Sequence, residues 1–284
     1  MKSQKIDRII NSVGELPTLP TVYMKLSQLL NVQDPSIRMI SDIISEDQAV
    51  AAMVLKIVNS TAYGFYNKIG DLQHAVVILG LNEIKNLVLA TSMYKVVNEF
   101  KSSNAFDMQE FWKHSIGCAI SARVLAETAY LKNPEDVFTG GLLHDIGKLI
   151  HAAYLREEFD DVVADIVETG SQMSESEKKI LGFDHAQTGS ALAEKWCLPR
   201  KTVNMIAHHH LFYMPDTLTR EIAAVHIGNS LCITLRMGSS GEKRVPIVNQ
   251  KAWEILGLKL SDLEYVMQRS TKLFEENISI MEFE

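Results

Sequence analysis

The chain has 284 residues, of which 46% are hydrophobic and 22% charged, with a formal net charge of −7 at pH 7. That balance supports a substantial core in one large domain or two modest ones, and excludes a disordered chain. Lysine and arginine never run more than two in a row. No phosphate-backbone footprint is present, and no nucleic-acid partner is expected.

Apolar residues recur at spacings of three and four along most of the chain, and almost no strand is expected. Ile6, Ile9, Ile10 and Val13 form a first stripe, broken by Leu16-Pro17-Thr18-Leu19-Pro20. Val22, Leu26, Leu29 and Leu30 mark the next helix, ending before Asp34-Pro35. Ser45-Glu46-Asp47-Gln48 reads as a capping box for a helix carrying Val50, Met53, Val54 and Ile57. Asn59 to Gly64 is a turn. Helices over 75–79 and 84–93 flank Gly80, and long helices are predicted over 111–129 and 137–154. Asn133-Pro134-Glu135-Asp136 opens the last of these with a cap, a proline and two acids. Shorter helices follow over 159–168, 174–180, 185–196, 201–209 and 221–236. A polar loop over 237–246 leads to a C-terminal pair, the last capped by Ser261-Asp262-Leu263-Glu264. The fold class is all-α, a multi-helix bundle of about fourteen helices, with a soft division near residue 105.

No segment reaches the ~20 apolar residues of a membrane span. Met1-Lys2-Ser3-Gln4-Lys5 leads into an amphipathic segment rather than a signal peptide, so a cytoplasmic protein without a membrane partner is expected. Cys118, Cys197 and Cys232 stand far apart without a CxxC, as buried reduced thiols do. No GxSxG elbow and no glycine-rich phosphate loop occurs.

The chemistry concentrates around Gly140-Gly141-Leu142-Leu143-His144-Asp145-Ile146-Gly147-Lys148. An imidazole beside a carboxylate in an apolar helix can bind a divalent ion, and a buried carboxylate without a partner costs several kcal/mol. Further ligands are available from His114, from Glu110 one turn before it, from His185 after the cap candidate Asp184, and from the run His208-His209-His210. Facing helices of a bundle gather such ligands to one point. Alternatively, Asp145 pairs with a neighbouring histidine or with Lys148 as a structural polar knot. His74, His151 and His226 read as ordinary core or surface residues. Lys148 is a phosphate-contact candidate.

The sequence resembles the HDOD family, HD-related output domains of bacterial signalling proteins. The matching pieces are 16–20, 55–64, 75–80, Phe111-Trp112-Lys113-His114-Ser115, 140–148, Gly182-Phe183-Asp184-His185 and Leu198-Pro199. The resemblance implies an HDOD domain over 13–230, made of an N-terminal helical bundle (13–104) and an HD-like bundle (105–230). A C-terminal helical extension (231–284) is then expected to pack on the HD-like bundle. It also implies a regulatory module of signal transduction, with signalling proteins as partners. The wider HD superfamily holds metal-dependent phosphohydrolases with a His, a His-Asp and a late Asp. His114, His144 and Asp145 match the first three, and Asn229 stands at the fourth, where an amide is a weaker ligand. The branch that cleaves cyclic di-GMP adds ligands to which Glu110, His185, His208 and His209 correspond. Its Gly-Tyr-Pro segment is replaced here by His210-Leu211-Phe212-Tyr213-Met214-Pro215.

Two functions remain open at this point, and a third, a cyclic-dinucleotide receptor without catalysis, shares features of both. The first is a regulatory interaction module whose metal, if bound, is structural or sensing. The second is a metal-dependent phosphodiesterase using iron or manganese on a cyclic dinucleotide or other phosphorylated small molecule. In that case Asp145 and Lys148 would be its catalytic pair.

Overall fold

A computed structural model of the chain describes residue 6 and residues 20–30, 35–59, 65–66, 68–99, 106–210, 218–242 and 244–281. Among these residues every regular element is a helix and no strand occurs. The expected break at 16–19, the turn residues 60–64 and the segment 211–217 lie outside the described residues. The chain divides into two compact units, one of residues 17–96 and 272–284, the other of residues 1–16 and 97–271.

The first unit holds α1 (Thr21–Leu30), α2 (Ile37–Ser45), α3 (Gln48–Val58), α4 (Leu72–Leu79) and most of α5 (Leu81–Glu99). Its core includes Tyr23, Leu26, Ile40, Ile44, Val54 and Ile57. The capping box expected at Ser45 does not form. Ser45 is the last residue of α2 and donates to the Ser41 carbonyl. Asp47 caps α3 instead, accepting from the Ala49 and Val50 N–H groups at 3.1 Å each. It succeeds because a carboxylate two residues further on reaches the free N–H groups of the first turn directly. Asn59 then ties the end of α3 to the approach of α4, exchanging two 2.8 Å bonds with the backbone of Ile69.

The second unit holds α6 (Met108–Thr128), α7 (Pro134–Leu143), α8 (Ile146–Tyr154), α9 (Arg156–Thr169) and α10 (Met173–Ile180). It continues with α11 (His185–Lys195), α12 (Arg200–His208), α13 (Arg220–Thr234), α14 (Gln250–Leu256) and most of α15 (Leu260–Met281). Helix α6 is its axis: residues are buried all round it, as in a central helix, and α7 and α13 pack against it. The approach is close because the contact residues are small. A Cβ at Gly228 would stand 2.8 Å from the Ala122 N. Helix α11 packs on both α8 and α12, and α14 packs on α13.

The helix expected over 137–154 is two helices, broken at His144 and Asp145. Asp145 leaves the helical region (φ −98°, ψ 8°), and its carbonyl accepts the Lys148 N–H at 2.8 Å. The adjacent pair therefore occupies the corner between α7 and α8. The last helix begins at Leu260, one residue before the expected cap, and Asp262 accepts the Lys259 N–H at 2.8 Å.

Candidate metal centre

The His-Asp corner faces three other helix segments of the same unit. His114 comes from α6, His185 from the first residue of α11, and His209 and His210 from the end of α12. His114, His144, Asp145, His185 and His209 are 0–1% exposed, and His210 is half-buried. Asp145 lies at the centre. Its Oδ2 is 3.3 Å from His144 Nε2 and 3.5 Å from His114 Nε2. Its Oδ1 is 3.1 Å from His185 Nε2 and 3.6 Å from His209 Nε2. One carboxylate thus faces two groups of candidate ligands, His114–His144–Asp145 and His185–His209–His210.

The outer nitrogens of these rings are committed. His144 Nδ1 lies 2.7 Å from the Gly141 carbonyl and His209 Nδ1 2.8 Å from the Ile206 carbonyl. A carbonyl only accepts, so each Nδ1 carries the proton and each Nε2 presents a lone pair inward. His114 Nδ1 faces Cys232 Sγ at 3.5 Å, and that thiol has carbonyls of His114 and Met237 at 3.4 and 3.3 Å to receive its own proton. Inward, His114 and His144 bring their Nε2 atoms to 3.3 Å, and His185 and His210 bring theirs to 2.7 Å. His209 Nε2 and Asp145 Oδ1 are buried without a hydrogen-bond partner. Inward lone pairs on His144 and His209, orphaned buried acceptors and a carbonyl second shell behind those two rings fit a divalent cation of the imidazole-and-carboxylate class.

At His114, His209 and His210 burial favours the unprotonated ring. Burial pushes His114 down to about 4, and holds His209 and His210 well below the usual histidine range. His185 is the exception. Burial works against its charge, but the Glu177 carboxylate beside it wins and lifts it to about 9. Burial raises the Asp145 carboxyl, yet His144 and Lys148 together hold it well below the carboxylate range. Lys148 is 1% exposed, with Nζ 2.7 Å from Asp145 Oδ2 and 3.3 Å from the Ser240 carbonyl.

Not every candidate joins the cluster. His208, half-buried like His210, stands outside both triplets, and His210 takes its place. His209 keeps helical dihedrals (φ −63°, ψ −20°) just past the end of α12 and continues the buried face of Thr202, Met205 and Ile206, one step round from His208. Glu110 is half-exposed and pairs with Lys113 at 3.2 Å instead of reaching a triplet. Asn229 is 4% exposed, with its amide oxygen lacking a hydrogen-bond partner. It sits on α13 three residues from both His226, whose Nδ1 reaches the His209 carbonyl at 2.7 Å, and Cys232. That spacing places Asn229 on the helix face turned to the cluster.

Two residues escaped the sequence reading. Glu177, in the polar helix Met173–Ile180, is 0% exposed and contacts both His185 and His151. His151, read as an ordinary histidine, is likewise fully buried. Neither has a motif. The available signal was a histidine eight residues after the acid, at His185.

The HDOD domain family model matches residues 16–212, and the chain belongs to the HDOD family. The crystal structure of an HDOD domain protein of unknown function from Geobacter sulfurreducens is 25% identical with a TM-score of 0.85. The match covers 99% of this chain and 97% of that one. A candidate phosphohydrolase from Shewanella amazonensis SB2B shares the fold at 24% identity and a TM-score of 0.74, over 98% of this chain and 96% of its own. An uncharacterised protein of Treponema pallidum (strain Nichols) is 25% identical over 240 residues, which is 84% of this chain and 46% of that protein. The chain spans less than half the length of the curated relatives it matches. Among the described residues, no helix is long and apolar enough to cross a membrane.

Proposed function

We propose that the chain is a regulatory module of bacterial signal transduction. In this reading its buried His/Asp centre holds a divalent cation as a structural or sensing element, and it acts by binding signalling proteins or a small ligand. The observation that carries this reading is the state of Asp145. One of its oxygens is in an ion pair with Lys148 at 2.7 Å, and both side chains are 1% exposed. A hydrolytic metal needs an open position for water and substrate. Among the described residues, the cluster's side chains are 0–1% exposed apart from the half-buried His210, and an amide stands at position 229. The test is metal content together with turnover of bis-p-nitrophenyl phosphate and cyclic di-GMP by manganese- or iron-loaded protein, beside Asp145→Ala. Bound metal without turnover supports the reading. Turnover that disappears in Asp145→Ala overturns it.

A second reading, a metal-dependent phosphohydrolase acting on a phosphodiester or cyclic dinucleotide, is favoured by one observation. The two oxygens of Asp145 face separate histidine groups, the layout by which a single carboxylate spans two cations. His114, His144, Asp145, His185, His209 and His210 would hold the ions, with Asn229 as a weak ligand. Bound cations would activate water and clamp phosphate oxygens, and Lys148 would neutralise charge on the phosphoryl group.

A further inference from the structure

Behind His185 runs a closed hydrogen-bonded chain. Glu177 Oε2 accepts both the backbone N–H of His185, at 2.9 Å, and its ring Nδ1–H. Glu177 Oε1 accepts the Nδ1–H of His151 at 2.9 Å. His151 Nε2 then faces Thr188 Oγ1, also at 2.9 Å. Thr188 lies one turn after His185 on α11, so the chain leaves that helix, passes through α10 and α8, and returns to it. All four side chains are 0% exposed.

The charges near the cluster are unequal. Two fully buried carboxylates are present, Asp145 and Glu177. Asp145 pairs with Lys148, whereas the ion pairs of Glu177 among the described residues are with the imidazoles of His151 and His185. A buried carboxylate is costly unless paired and hydrogen-bonded; Glu177 takes three N–H donors from His185 and His151, and a cation one imidazole away would add to that compensation. The His185–His209–His210 triplet is the ligand group in contact with this carboxylate.

We propose that Glu177 is a positioning residue for the His185–His209–His210 triplet, fixing the His185 ring so that Nε2 points into the cluster and supplying the negative charge that a divalent cation needs there. This rests on the reading of the cluster as a cation site. Glu177 acts through His185 and is not itself a ligand, in the manner of carboxylate–histidine–metal triads.

The experiment titrates chelator-stripped full-length protein with Co²⁺, following its visible absorption, for wild type, Glu177→Gln, Glu177→Asp and Thr188→Val. Circular dichroism melting of the same metal-free samples runs alongside. Glutamine preserves the shape: its oxygen still accepts from His185, and its amide donates to His151 once that ring changes tautomer. The expected result is Co²⁺ affinity lower by about 10–100-fold in Glu177→Gln, with altered absorption bands and helical content unchanged. Glu177→Asp, which restores the charge, is expected to recover part of the loss. Equal affinity and bands in a folded Glu177→Gln overturn the proposal and leave the cation site standing. If Glu177→Gln does not fold, Thr188→Val decides: a few-fold loss of affinity supports the proposal, and unchanged affinity overturns it. Uptake below about 0.1 equivalents by wild type overturns both the proposal and the cation-site reading.

Discussion

The ammonium of Lys148 stands 2.7 Å from Asp145 Oδ2, and neither side chain is more than 1% exposed. Removing one member of such a pair strands the other charge, at a cost of about 3–5 kcal/mol. Lys148→Met keeps the apolar stem and deletes the charge. In metal-free protein it is expected to lower stability by about that amount, read by urea unfolding. Manganese should return much of the loss, because a cation on Asp145 replaces the ammonium. A variant as stable as wild type in chelator would show that Asp145 is compensated in another way.

The crossing of α8 and α11 sets where His185 points. A Cβ at Gly147 would overlap the His185 carbonyl and come within 2.8 Å of the Gly189 N. Gly147→Ala is therefore expected to cost about 1–3 kcal/mol by overpacking and to weaken metal binding by displacing His185. Gly70 is exposed with nothing within 4 Å of its would-be Cβ, so Gly70→Ala should stay within about 0.5 kcal/mol of wild type. Melting curves and metal content of the two variants check both statements.

Adjacent histidines should behave oppositely. His209 is buried with an unpartnered Nε2 beside Asp145, and His208 is half-buried and outside both triplets. His209→Ala is expected to lower metal affinity at least tenfold (about 1.4 kcal/mol), and His208→Ala to leave it unchanged. Isothermal titration with Mn²⁺ distinguishes them, and equal losses would place His208 in the site.

Asp47 supplies a pH test in the other unit. Its slight burial raises the carboxyl's pKa, but the Lys95 ammonium at 2.7 Å and the N–H groups of Val50 and Ala49 bring it below the usual carboxylate value. A depressed carboxyl contributes stability above its unfolded pKa and loses it as pH falls through the folded one. Asp47→Ala should cost about 1 kcal/mol near neutrality as a lost helix cap. The difference from wild type should shrink as pH falls below about 4. A difference independent of pH would mean that the charge of Asp47 contributes nothing.

Much of the helix order was legible because capping and periodicity are local. Asn133-Pro134 opens α7 and Asp184 caps α11 where the residues say so, and Gly80 at φ 79° separates α4 from α5. Where two local readings competed, sequence chose wrongly. Ser45 and Asp47 both offer oxygens to a first turn, and which of them ends the preceding helix depends on how α2 packs. The break at Asp145 is invisible in an apolar run whose 3.6-residue periodicity continues through it.

By itself the sequence determined the helical class, the family, and a centre built on His114, His144 and Asp145, because those properties reside in residue type and spacing. Tertiary structure alone decided which of His208, His209 and His210 face that centre, that Glu110 turns away, and that Glu177 and His151 stand behind His185. Each of those outcomes depends on the rotation of one helix against another. A side chain's distance to a residue on another helix is set by packing and carries no signature in the chain around it.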